Sequence, residues 1–89
     1  MNMYGRRAKE HWMRWLPRRY SQLTDPEPFF SDLGEEIEGR VGELTQVLAG
    51  EDPPGEPYLE KLGRLNMAKL NAESQAMQEL ALLEPEAGS

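Results

Sequence analysis

The side chains best suited to binding chemistry are concentrated in residues 11–20, HWMRWLPRRY, which hold two tryptophans, one tyrosine and three arginines. Trp, Tyr and Arg are the residue types most enriched among the energetically dominant contacts of protein interfaces. We therefore predict that this stretch forms a recognition surface for another protein. Its candidate partner-binding residues are Trp12, Arg14, Trp15, Arg18, Arg19 and Tyr20.

Three other uses of the same stretch stay open. Trp12 and Trp15, together with Tyr4, could pack on the rest of the chain and complete its core, because large aromatic rings bury about 150–250 Å² each. The arginines could contact phosphates while the aromatic rings stack on nucleic-acid bases. A basic amphipathic helix could also lie on a membrane surface, although the acidic remainder of the chain disfavours anionic lipid.

Charge is distributed unevenly along the chain. Residues 1–20 carry six basic side chains and one acidic side chain, whereas residues 21–89 carry four basic and fifteen acidic ones, and the net charge is −6. Such an asymmetry concerns partners and association rather than fold. It favours a protein partner over nucleic acid, because the acidic remainder would repel a phosphate backbone.

Residue types that carry out catalysis or bind metals are scarce. The chain has one histidine, His11, and no cysteine, and it contains no phosphate-binding loop or nucleophile-elbow motif. Zinc sites need several imidazole or thiolate ligands, and catalysis needs proton-transfer or nucleophilic groups gathered in a pocket. We therefore expect no enzymatic activity, no metal site and no cofactor.

The elements that position these residues are predicted to be helices. Apolar periodicity and the prolines place helices at about 4–16, 26–49 and 57–83, with a kink or short turn at 17–23. Residues 1–84 should form one helical domain, and residues 85–89 a frayed tail. The predicted apolar stripe of the third helix consists of Leu59, Leu62, Leu65, Leu70, Met77, Leu80 and Leu83.

The connection between the two long helices determines the predicted architecture. Residues 51–57, EDPPGEP, are too rich in proline to continue a helix, and their short length favours an antiparallel pair. The fold class is therefore predicted as all-α, with a short basic N-terminal helix and a long antiparallel helical hairpin. This three-helix unit could also dimerise into a bundle, which would leave the tryptophans available for another partner.

A polar layer is predicted halfway along the hairpin. If Ala49 lies beside Pro57, Arg40 falls level with about Asn66, and the layer consists of Glu36, Arg40, Asn66, Lys69 and Glu73. Buried polar groups of this kind can fix the register of paired helices. A solvated cleft and a ligand site are the alternatives.

Two glycines, Gly39 and Gly42, lie on the polar face of the second predicted helix, in a sequence that otherwise favours helix. Each costs about 1 kcal/mol relative to alanine in an exposed helix. They indicate either a flat groove, which a partner backbone or the first helix approaches closely, or simple tolerance.

These features together predict a small non-catalytic protein-binding module. It would act as an adaptor, assembly factor, regulator or inhibitor of a larger protein, and a phage or mobile-element origin is compatible with its composition. The alternative is a nucleic-acid-binding accessory protein that uses the basic aromatic helix. We expect a cytoplasmic protein with no membrane span, because no apolar run has the length of a transmembrane or signal segment.

Overall fold

The computed structural model describes residues 1–86, which fold into four helices and contain no strand. The helices are α1 (Met3–Trp15), α2 (Pro17–Ser21), α3 (Pro26–Ala49) and α4 (Tyr58–Leu80). Helices make up 76% of the described residues, and α3 and α4 pack against each other as a hairpin. The predicted all-α class is confirmed. Residues 87–89, part of the predicted frayed tail, lie outside the described range.

The ends of the helices follow from local sequence. The Asn2 side chain caps α1 by accepting a hydrogen bond from the Gly5 backbone N–H, with an N···O distance of 2.9 Å. Pro17 begins α2, so the chain breaks into two helices at Leu16, whose backbone is not helical. Pro26 begins α3, where a missing N–H costs nothing. Gly50 follows α3 with φ of 65°, a conformation that favours glycine.

The hairpin core pairs large side chains of α3 with small side chains of α4. From α3, Phe30, Ile37, Val41 and Leu44 are buried. The residues that α4 buries are Ala68, Ala72, Ala76 and Met77. The alanines are four residues apart and therefore lie on one face of the helix. The predicted leucine stripe is wrong for the first half of α4, because Leu59, Leu62 and Leu70 are exposed there.

Helix α1 crosses α3 at a pair of glycines. A Cβ atom added to Gly5 would lie 2.5 Å from the Phe30 carbonyl oxygen, and one added to Gly34 would lie 2.8 Å from the Gly5 nitrogen. The two backbones are therefore in direct contact. Around Gly39 and Gly42 an added Cβ would meet no atom of the described residues within 4 Å. The proposed approach of the first helix to Gly39 and Gly42 is thus wrong.

Two polar contacts show the direction in which α1 runs along α3. The Asn2 amide donates to the Glu38 carboxylate (N···O 3.2 Å), and the Lys9 ammonium pairs with Glu27. The start of α1 therefore lies at the middle of α3, and the two helices are antiparallel. At about 1.5 Å per residue, the 13 residues of α1 span about 20 Å, whereas the 24 residues of α3 span about 36 Å.

The shortness of α1 leaves the molecule elongated. Its principal extents are 53 × 26 × 17 Å and its radius of gyration is 16.3 Å. A compact chain of this length would have a radius of gyration of about 12 Å. Helices α1 and α2 pack on the hairpin at one end, and only the two hairpin helices continue to the other end. Among the described residues, no helix combines the length and apolar character that crossing a bilayer requires.

Arg64 holds the far end of the hairpin together. Its guanidinium pairs with Asp52 (2.8 Å) and Glu56 (3.0 Å) of the connection and also donates to the Ala49 carbonyl at the end of α3. Ala49 therefore lies near Arg64 rather than beside Pro57. The connection reaches past the end of α3, so the predicted register of the hairpin is shifted by about two helical turns.

The glycine contact between α1 and α3 makes a testable prediction about stability. Gly5→Ala and Gly34→Ala should each lower the free energy of unfolding by about 1–3 kcal/mol, because the added methyl group forces the helices apart. The matched change Gly39→Ala should raise it by up to about 1 kcal/mol, because the position is open and alanine favours helix. Urea denaturation followed by circular dichroism measures all three. Equal effects at the three positions would contradict the contact.

Candidate functional site

Trp12 belongs to the core. Only 8% of its surface is exposed, and its indole N–H donates to the Ala81 carbonyl with an N···O distance of 3.0 Å. The ring packs edge-on against Phe30, with 5.5 Å between ring centroids. A side chain that is both buried and hydrogen-bonded is not available to a partner, so the prediction that Trp12 binds one is wrong.

Tyr20 is divided between core and surface. Its ring stacks on Phe30 at 6.1 Å between centroids, and the residue is half-buried. Phe30 is fully buried, and the rings of Trp12 from α1 and Tyr20 from α2 both contact it. Offset aromatic contacts of this kind add about 0.5–1.5 kcal/mol each beyond area burial. Tyr20 therefore fixes α2 to the core.

Four of the six predicted partner-binding residues remain exposed, and together they form what we call the basic corner: Arg14, Trp15, Arg18 and Arg19. Trp15 is 40% exposed, and the Arg14 guanidinium carbon lies 5.0 Å from the centre of its ring. That distance is in the range of a cation–π contact, which holds the indole in place. Buried Leu16 and the break before Pro17 then turn the arginines of α2 outwards.

The chain's own residues 81–86, which we call the 81–86 segment, lie along α1. The Trp12 contact with Ala81 is one attachment, and His11 Nε2 donates to the Leu83 carbonyl (2.8 Å) as a second. This segment follows the end of α4 at Leu80, although the sequence predicts helix to about residue 83. His11 thus has a structural contact that sequence analysis did not predict.

The 81–86 segment ends on the basic corner. The Glu86 backbone N–H donates to the Trp15 carbonyl (3.0 Å), and the Arg18 backbone N–H donates to the Glu86 carboxylate (2.8 Å). These bonds satisfy backbone groups that the break between α1 and α2 would leave unpaired. Glu86 lies within the predicted frayed tail of residues 85–89 and makes both of these hydrogen bonds. The corner therefore holds the acidic residue Glu86 of the chain's own 81–86 segment.

The predicted polar layer does not assemble. Arg40 pairs with Glu79 (3.0 Å) and Glu43 (3.3 Å). The hydrogen bond from Arg40, together with one from Gln75, holds the pKa of Glu79 below its usual value. The other predicted members lie elsewhere: Glu36, Asn66 and Lys69 are exposed, and Glu73 contacts α1. The shifted register explains the difference, because Arg40 no longer lies level with Asn66.

Glu73 joins α4 to α1. The Tyr4 hydroxyl donates to its carboxylate with an O···O distance of 2.6 Å. Burial, the hydrogen bond and the charge of Glu73 together raise the pKa of Tyr4 to about 12. Tyr4 therefore stays protonated well above neutral pH, and this pair fixes the first turn of α1 on the hairpin.

Metal-binding clusters are not a feature of the described chain: within residues 1–86, no group of three or more His, Asp or Glu side chains could hold a metal ion.

Comparison with protein-family models, with curated proteins and with solved structures found no match for this chain.

The two tryptophans provide a matched pair of substitutions. Trp12→Ala should lower the free energy of unfolding by about 3–5 kcal/mol, because it removes a buried ring and leaves a cavity. Trp15→Ala should change it by at most about 1 kcal/mol, because that ring is partly exposed and contacts an exposed arginine. Thermal and urea denaturation of both variants test the assignment. A larger loss for Trp15→Ala than for Trp12→Ala would contradict it.

Tyr4 predicts how stability depends on alkaline pH. A pKa raised by folding stabilises the protein fully below pH 10, and that contribution is lost as the pH rises to about 12. Tyr4→Phe removes the hydroxyl, so at pH 7 it should cost about 1–2 kcal/mol. The difference between wild type and variant should shrink between pH 10 and pH 12. Urea denaturation of both proteins at pH 7, 9, 10, 11 and 12 measures it, and a constant difference would contradict the pair.

Proposed function

We propose that this protein is a small non-catalytic protein-binding module whose basic corner binds an acidic segment of a larger protein. In this role it acts as an adaptor, assembly factor, regulator or inhibitor of that protein. The observation that carries the proposal is the attachment of Glu86 to the backbone of Trp15 and Arg18. The chain itself thus provides an example of an acidic, non-helical stretch bound at this surface.

The side chains of the basic corner fit such a partner. An exposed indole braced by a guanidinium offers a rigid apolar surface with positive charge around it. Arg14, Arg18 and Arg19 can each form paired hydrogen bonds with a carboxylate. Tryptophan and arginine also dominate measured interface energies, so a small surface of this composition can hold a partner.

The charge of the remaining chain supports a protein partner. Away from residues 1–20 the acidic side chains outnumber the basic ones, fifteen to four. A long phosphate backbone leaving the corner would meet this acidic surface and be repelled, whereas a short acidic peptide would not. We also propose a cytoplasmic location, with which a chain without cysteine is compatible.

Affinity capture with corner variants tests the proposal. Full-length wild type, Trp15→Ala and the double variant Arg18→Ala/Arg19→Ala serve as baits, with Tyr58→Ala as the control because Tyr58 is an exposed aromatic residue at the opposite end of the hairpin. Wild type and Tyr58→Ala should retain the same protein, and both corner variants should lose it. For the purified partner, each corner variant should weaken binding by about 30-fold, equivalent to about 2 kcal/mol.

A binding titration of the same purified proteins tests whether the partner is a nucleic acid. Binding of a fluorescent 20-nucleotide single strand is measured between 50 and 200 mM salt, because several phosphate contacts give a steep loss of affinity over that range. We expect negligible binding at 200 mM. Tight, salt-sensitive binding that Arg18→Ala/Arg19→Ala abolishes would overturn the proposal in favour of a nucleic-acid-binding protein.

A further inference from the structure

The 81–86 segment has a firmly anchored first half and an exposed second half. Ala81 is fully buried, and its carbonyl accepts the hydrogen bond from the Trp12 indole. Leu83 packs against the core, and its carbonyl is bonded to His11. The two residues after Leu83 are exposed to solvent. The segment is therefore fixed as far as residue 83, and the residues that follow form a short tether.

Glu86 lies at the end of this tether, on the basic corner. Its backbone N–H donates to the Trp15 carbonyl, and its carboxylate accepts from the Arg18 backbone N–H. Three residues of chain extend to about 10 Å at most, so Glu86 stays near the corner even when both bonds are broken. A group tethered this closely has an effective concentration in the millimolar range. Glu86 therefore competes strongly with any free ligand for the same backbone groups.

The contact of Glu86 with the corner can open without disturbing the core. The hydrogen bond between the Arg18 N–H and the Glu86 carboxylate is exposed, so water can replace either partner at little cost in free energy. The hydrogen bond from Trp12 to Ala81 is buried, so its loss would be far more costly. Local opening is therefore expected at Glu86, while the first half of the segment stays in place.

Glu86 does not use the charged groups of the corner. Within residues 1–86, the guanidiniums of Arg14, Arg18 and Arg19 form no ion pair with an acidic side chain. A ligand with one carboxylate only replaces the bond that Glu86 already makes, whereas a ligand with several carboxylates also pairs with these guanidiniums. The corner therefore favours a segment that contains several acidic residues.

We infer that Glu86 is an intramolecular competitor for the basic corner, and that a partner segment with several carboxylates displaces it. The inference rests on the proposed function, because it concerns the regulation of the same surface. In the closed state Glu86 holds the backbone groups of Trp15 and Arg18. In the open state the tether moves away and a carboxylate of the partner accepts from the Arg18 N–H. The apparent affinity for the partner is then reduced in proportion to the fraction of open molecules.

Binding of a fluorescein-labelled hexaglutamate peptide to the full-length chain tests the competition. Fluorescence polarisation at about 50 mM salt measures the dissociation constant. Glu86→Ala should bind the peptide about fivefold more tightly than wild type, because the closed state is lost. Glu84→Ala is the matched control, because it removes the same charge from an exposed position of the same segment. It should bind the peptide like wild type.

A triple variant assigns the gain in affinity to the corner. In Arg18→Ala/Arg19→Ala/Glu86→Ala the gain should be lost, because the guanidiniums that the peptide uses are absent. Equal affinities of wild type, Glu84→Ala and Glu86→Ala overturn the competition and leave the proposed function intact. An equal gain in the two single variants also overturns it, since net charge alone then explains the effect. If no variant binds the peptide, the proposed function fails and the competition fails with it.

Amide hydrogen exchange, followed by NMR, tests the closed state without any ligand. The Arg18 amide is the reporter, because its acceptor is the Glu86 carboxylate. Glu86→Ala should raise the exchange rate of this amide about fivefold, and Glu84→Ala should leave it unchanged. The Trp12 indole N–H should stay protected in both variants, because its bond to Ala81 is buried. An Arg18 exchange rate that is the same in all three proteins overturns the inference.

Discussion

The direct contact between the backbones of α1 and α3 at Gly5 and Gly34 is the constraint on which the rest of the structure depends. Two glycines allow the helices to approach more closely than any side chain would permit. That approach determines where α1 lies along the hairpin, and through it which residues of α4 are covered. A larger residue at either position would move every contact that α1 makes.

With α1 in this place, a series of contacts follows. Tyr4 meets Glu73 at the first turn, Trp12 meets Ala81 at the last turn, and the backbone of Trp15 meets Glu86 beyond it. Each contact joins the beginning of the chain to residues about 70 positions later. The basic corner is therefore a product of the fold, because the break at Leu16 and the return of the 81–86 segment together shape it.

Much of the helical architecture could be predicted from the sequence, because the residues that begin and end the helices act only on the adjacent backbone. Pro17, Pro26, the connection at 51–57 and Gly50 act on the adjacent backbone, and the helices begin and end within a few residues of the predicted positions. The face on which α4 packs could not be predicted in this way. Its leucines gave the stronger apolar signal, whereas close packing against α3 selected Ala68, Ala72 and Ala76.

The residue types of the candidate site could be predicted from the sequence, but which of these residues are exposed could not. Residue types alone indicated a basic aromatic surface, and four of the six residues are exposed there. The sequence could not separate Trp12 from Trp15, because the two lie three residues apart on one helix and differ only in tertiary contacts. Nor could the sequence reveal the register in which α3 pairs with α4, since that depends on how far the irregular connection extends past Ala49. The polar layer predicted around Arg40 and Asn66 relied on that register.

The contact of the 81–86 segment with α1 has a consequence for biosynthesis, because the two are far apart in the sequence. Trp12 is translated almost 70 residues before its acceptor at Ala81, and ribosomes add about 5–20 residues per second. A newly made α1 therefore waits several seconds with its apolar face unprotected, unable to dock fully until α4 has left the ribosome. Because the contacts of α1 lie about 70 residues later in the chain, the packing of this helix is a late step of folding.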